Sequence, residues 1–102
     1  PRMPLKAACE IRLSGSDHVC EGQMLNISAN GYAIQTQDKA ILDTKDTLIT
    51  VHTKGFTFLE DMPLRGHVIR ITDNEGTYIV GCRMLEDNKA IYDYVNQNYH
   101  GE

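Results

Sequence analysis

The sequence predicts a mainly β protein: a six-stranded antiparallel barrel, closed or nearly closed, with one C-terminal α-helix. The chain reads mostly as short strands, and from Ala7 to Leu13 apolar residues alternate cleanly with period two, the mark of a half-buried strand. Clusters of Gly, Asn, Asp and Ser punctuate those segments as turns. Only the tail carries an apolar stripe at helical spacing, and so short a helix must dock on a sheet to be stable.

From Ala7 to Leu13 the apolar positions are Ala7, Cys9, Ile11 and Leu13, opposed by Ala8, Glu10 and Arg12. Ser14-Gly15-Ser16-Asp17 then turns the chain, and a second strand is expected from about Val19 to Ile27. Ser28-Ala29-Asn30-Gly31 breaks it, with Gly31 expected to supply a positive φ. Tyr32 to Thr36 resumes as a strand with Tyr32 and Ile34 in the core. Asp38 to Asp46 reads as a polar connection anchored by Ile41 and Leu42.

Thr47 to Thr53, dense in β-branched residues, is a strand. Lys54-Gly55 is a turn, and Phe56 to Leu59 extends a hairpin that Glu60-Asp61-Met62-Pro63 stops. Leu64–Ile71 and Thr77–Leu85 pair across Asp73-Asn74-Glu75-Gly76. Val68, Val80 and Cys82 are assigned to one face, and Ile69, Ile71 and Ile79 to the other, which the helix partly covers. That helix spans 87–99, capped by Asp87 or Asn88, with Ile91, Tyr94, Val95 and Asn98 sharing a side.

At 102 residues the whole chain, 1–102, reads as one domain, and its start at Pro1 without Met fits a trimmed chain or an excerpt of a longer one. A formal charge of −4 argues against a general binder of nucleic acid polymers, whose affinity rests on phosphate contacts. The three cysteines, Cys9, Cys20 and Cys82, are odd in number and far apart, which suits reduced thiols and a cytoplasmic location. No apolar run is long enough to insert into a membrane.

No enzyme is expected. Ser14, Ser16 and Ser28 lack a nucleophile-elbow context, and Glu60-Asp61 and Glu86-Asp87 read as solvated charge at element ends. His18, His52, His67 and His100 are dispersed without a metal-ligand spacing, so neither a metal nor a cofactor is expected.

One segment stands out. Asn26-Ile27-Ser28-Ala29-Asn30-Gly31 places an amide, a hydroxyl and a glycine at fixed spacing in a strand–turn–strand corner. As a plain turn, Asn and Ser would bond nearby backbone groups. The segment also resembles the [D/N]-x-S-x-x-G motif of the PilZ domain family. Arg2-Met3-Pro4-Leu5 is similar to the family's entry to the first strand, Gly66-His67-Val68-Ile69-Arg70 to its G-x-V-x-R strand, and Tyr78-Ile79-Val80-Gly81-Cys82-Arg83-Met84 to its closing strand.

The resemblance implies a six-stranded barrel and a receptor for the bacterial second messenger cyclic di-GMP. By spacing, Arg2 corresponds to the second arginine of the family's R-x-x-x-R motif, the first falling ahead of Pro1. The implied ligand residues are Arg2, Asn26, Ser28 and Gly31, with Arg70 as a further candidate near a strand end; Arg70 would otherwise be a surface arginine paired with a carboxylate. Met3 is either a cover for a base or a mobile apolar side chain.

The residue types suit that ligand, which carries two phosphates and two guanines. A guanidinium forks onto phosphate oxygens or guanine O6 and N7, and an amide oxygen accepts from the guanine N1–H and N2–H edge. Binding would order the Arg2 segment against the corner and pass the change to a protein partner or attached domain. The alternative is a PilZ-like adaptor that binds a protein and no nucleotide. A small barrel for single-stranded nucleic acid is disfavoured, because no strand face combines aromatic and basic residues.

Overall fold

The computed structural model describes residues 2–55, 57–59 and 62–98. Six strands form: β1 (Met3–Leu13), β2 (Val19–Ser28), β3 (Gly31–Thr36), β4 (Leu48–Thr53), β5 (Leu64–Asn74) and β6 (Thr77–Met84), followed by one helix, α1 (Lys89–Asn98). They close into a barrel in the order β1-β2-β3-β6-β5-β4, every neighbouring pair antiparallel. Where strands pair on both sides, closure leaves no edge to recruit another chain.

The alternating pattern becomes the core. Cys9 and Ile11 from β1, Tyr32 and Ile34 from β3, Ile49 and Val51 from β4, and Val68, Val80 and Cys82 from β5 and β6 point inward and are buried. Met3 joins them rather than standing free to cover a base. The hydroxyl of Tyr32 donates to the Leu64 carbonyl at 3.0 Å, so the buried phenol keeps a partner. It lies over Gly66, where a Cβ would come within 2.7 Å of it. The β5–β6 hairpin turns through Glu75 and Gly76, both at positive φ (56° and 89°), the two-residue turn whose twist matches the strands.

Several expectations change. A β-bulge between Val68 and Arg70 opposes the pair Val68–Cys82 to the pair Arg70–Gly81, so Ile69 absorbs one extra residue. Val68 therefore faces the core while Arg70 faces out, and Ile71, paired with the buried Val80, turns inward instead of lying with Ile69 and Ile79. Residues 38–46 contain a short 3-10 helix, Lys39–Asp43, capped by Asp38; Ile41 is its buried anchor, whereas Leu42 is exposed. Thr57–Leu59 is also a 3-10 turn rather than strand, with Leu59 buried; Phe56, Glu60 and Asp61 lie outside the described residues.

The helix begins two residues later than expected. Asn88 is its cap, its side-chain oxygen accepting from the Ile91 N–H at 3.0 Å. Its expected end at Tyr99, and His100, lie outside the described residues. Ile91 and Val95 join the core while Asn98 is exposed, and Tyr94 stacks on Phe58 with ring centroids 4.3 Å apart. The helix packs beside β2 and leaves Ile69 exposed, so it does not cover the outer face of β5 and β6. No helix among the described residues is long and apolar enough to cross a membrane.

One buried polar atom lacks a partner among the described residues: the hydroxyl of Thr53, opposite Cys9 in the β1–β4 ladder. A desolvated hydroxyl without a hydrogen bond is destabilising. Thr53→Val, which keeps the shape, is therefore expected to stabilise the fold by about 1 kcal/mol, read as a raised denaturant midpoint at unchanged slope.

Candidate functional site

The strand register gathers the sequence-predicted residues on one outer face of the barrel. Along β3, Tyr32 and Ile34 point inward, so Gly31 and Ala33 point out. Asn26 pairs with Ala33 and Ser28 with Gly31 on one side; Gly81 pairs with Ala33 and Arg83 with Gly31 on the other. The bulge in β5 then brings Arg70 opposite Gly81 on that same face. Gly31, Ala33 and Gly81 thus make a floor of small residues, with Asn26 and Ser28 along one side and Arg70 and Arg83 along the other.

Arg2 lies over this floor. Its Nη1 donates to Asn26 Oδ1 at 2.6 Å, a short charge-assisted contact. Its Nη2 is 3.2 Å from the point a Cβ on residue 31 would occupy. The chain leads Arg2 there because Met3 and Pro4 already pair with Ile27 and Asn26. Arg2 is near enough to favour the thiolate of Cys82, as does the Tyr32 hydroxyl, but burial outweighs both and pushes the thiol up to about 12. Cys82 stays protonated and unreactive there.

Gly31 is required for a reason other than the expected one. It is a strand residue without positive φ, and the preceding turn residue Asn30 has no positive φ either. A Cβ there would sit 2.6 Å from the Cys82 carbonyl oxygen of the paired strand. The corner is also tied to its surroundings by backbone bonds. Met84 N–H donates to the Asn30 carbonyl and Asn88 N–H to the Ala29 carbonyl, each at 2.9 Å. The nearly buried Ser28 hydroxyl lies 2.8 Å from Asn30 Oδ1 and 3.2 Å from the Gly31 carbonyl, so its one proton holds the corner internally.

Two features escape the sequence reading. Arg83 joins the face only through its register with Gly31 and His67. Tyr92 on α1, about half exposed, borders a groove of ≈ 200 Å³ shared with Ser28, Ala29, Asn30, Asp87 and Val95. The helical stripe drew notice to Tyr94, and nothing local marks Tyr92 as facing the corner. Arg70 forms no ion pair among the described residues, so the reading of a carboxylate-paired surface arginine does not hold. A larger hollow of ≈ 660 Å³ lies elsewhere, along β2 and β3; its lining includes Glu21, Gln23, Gln35 and Asp38 but no basic residue, so no cationic side chain there attracts an anion.

His18, Cys20 and Asp38, at the far end of β2 and β3, form a group with ligand atoms within 4.8 Å of one another. No sequence spacing marks it, because Asp38 arrives through strand pairing.

Two substitutions test the corner. Gly31→Ala is expected to cost roughly 1–3 kcal/mol, since backbone of the paired strand must move. Ser28→Ala removes a local hydrogen bond and is expected to cost about 1 kcal/mol, both read by denaturant unfolding.

A family model described as the PilZ domain matches residues 1–97. No curated relative matches the chain. Among solved structures, the fold is similar to the Bacillus subtilis inhibitor of motility MotI/DgrA, with a TM-score of 0.68 and 15% identity over 94% of this chain and 47% of that one. It is also similar to the Borreliella burgdorferi PlzA protein in complex with c-di-GMP, with a TM-score of 0.61 and 10% identity over 99% of this chain and 54% of that one. The chain spans about half the length of each of these structures. With the family motif folded into the corner and the family model matching 97 residues, this chain belongs to the PilZ domain family.

Proposed function

We propose that the chain is a receptor domain for cyclic di-GMP, bound on the outer face between Arg2 and the Asn26–Gly31 corner. The observation that carries this reading is the seating of the Arg2 guanidinium on Asn26 and over Gly31. Membership of the PilZ family and the likeness to a protein solved with c-di-GMP support it.

The chemistry fits. Arg2 exchanges its bond to Asn26 for a fork onto a phosphate or a guanine Hoogsteen edge. The released Asn26 oxygen accepts from a guanine N1–H and N2–H edge. Ser28 donates to the ligand in place of its internal partners. The floor of Gly31, Ala33 and Gly81 admits a flat base closely. Arg70 and Arg83 supply positive field at a place where the chain's overall charge is −4; at physiological salt that overall charge is screened beyond about 8 Å. The exposed ring of Tyr92 offers a face on which a base can stack. The exchange at Arg2 fixes the leading segment and passes the change to a protein partner or attached domain.

A second reading is a PilZ-type adaptor that binds a protein and no nucleotide. It is favoured by the internal satisfaction of Arg2 and Ser28, and by the exposed apolar side chains Leu48 and Ile69 on the adjacent strands β4 and β5.

Isothermal titration calorimetry with cyclic di-GMP separates the two. Saturable heat at micromolar ligand is expected, and Arg2→Ala should weaken it by roughly 5- to 150-fold, the worth of one bidentate contact. No heat and no thermal shift at several hundred micromolar ligand overturns the receptor reading. Tyr92→Ala is expected to lose about 1 kcal/mol or more of affinity with little change in folding stability, and Tyr92→Phe to retain it.

A further inference from the structure

We propose that His18, Cys20 and Asp38 form a binding site for a zinc-class divalent cation at the rim of the barrel opposite the Arg2 corner. Antiparallel pairing builds it. Gly22 is paired with Thr36, and two residues beyond this pair on each strand lie Cys20 and Asp38. His18 is two residues before Cys20, on the same side of an extended chain. One imidazole nitrogen, the thiol sulfur and one carboxylate oxygen lie within 4.8 Å of one another. Tetrahedral zinc, with bonds of about 2.0–2.3 Å, needs its ligand atoms about 3.3–3.8 Å apart.

The group is close to that arrangement already. His18 Nε2 lies 2.5 Å from Asp38 Oδ2, so the two must part by about 1 Å to admit a cation between them. Both side chains have room: His18 is 52% exposed and Asp38 29%. Cys20, fully buried on β2, is the fixed point.

Asp38 is oriented for the task. Its Oδ1 accepts from the Ala40 N–H at 3.0 Å, at the start of the 3-10 helix, which leaves Oδ2 directed at His18 and Cys20. A backbone partner of this kind fixes a ligating carboxylate. The backbone N–H of His18 donates to Ser16 Oγ at 3.0 Å, which fixes the chain at His18 while the ring stays free to turn.

The donor set selects the ion. One sulfur, one nitrogen and one oxygen suit zinc and its borderline neighbours; magnesium and calcium require a cage of oxygens. Binding forms the Cys20 sulfur–metal bond and releases the thiol proton to solvent. Three protein ligands leave a fourth position open. Cys9 and Cys82 belong to no such group among the described residues.

Cobalt titration of the reduced, chelator-washed protein tests this. One equivalent is expected to give a thiolate-to-cobalt charge-transfer band and tetrahedral d–d bands, all abolished by zinc. Zinc at a hundred-fold excess over its Kd should raise Tm by about 10 °C or more, since it ties β2 to the segment after β3. Cys20→Ser should abolish the charge-transfer band. His18→Ala, at an exposed position and so compatible with folding, should weaken binding about ten-fold or more and cut the zinc shift of Tm at the same zinc concentration to about half or less. Absence of the band, or a band that survives in both variants, overturns the proposal. Should Cys20→Ser fail to fold, His18→Ala decides alone.

Discussion

The two-sided pairing of β1 is the constraint on which the rest depends. Its later half, Cys9–Arg12, pairs with β2 on one side and β4 on the other, which closes the barrel. Its leading residues, Met3 and Pro4, pair with β2 alone. The closed half holds the core and abolishes the sheet edges. The one-sided half carries Arg2 onto Asn26. Closure and site are therefore consequences of one strand running past the end of its second partner.

Small residues at defined register positions make the outer face usable. Gly31, Ala33 and Gly81 lie side by side on β3 and β6, and any larger side chain would lift a flat ligand off the sheet. At Gly31 the restriction is steric in a second way, because the Cys82 carbonyl occupies the space a Cβ would need. The arginines then concentrate positive charge on an acidic protein. In water, with screening over about 8–10 Å, such local placement outweighs the overall charge. The opposite rim is built from the same β2–β3 ladder, so one pair of strands carries a cationic face near one end and a His–Cys–Asp group near the other.

Much of the fold was legible along the chain. Period-two alternation marked the first strand, β-branched density the fourth and turn clusters the bounds of the others, and the helical stripe marked Ile91 and Val95. The bulge at Ile69 was not legible, since a single extra residue leaves the composition of the strand unchanged while reversing the side of everything after it. That reversal is why Arg70 faces out although Val68, two residues earlier, faces the core. The 3-10 turn at Thr57–Leu59 was missed for a related reason: a short apolar run has no period of its own, and tertiary burial of Leu59 set its conformation.

For the candidate site, residue types and spacing marked the Asn26–Gly31 corner because that corner is local, whereas Arg2 was added only by the resemblance to the PilZ family. Arg83 and Tyr92 entered through strand register and helix docking, which bring together residues more than fifty apart in the chain. Asp38 likewise comes beside His18 and Cys20, about twenty residues earlier, through the β2–β3 register. Local sequence sets which backbone shape each segment prefers, through periodicity and turn chemistry. Which side chains then meet depends on hydrogen-bond register between distant strands, and register follows from packing of the whole core.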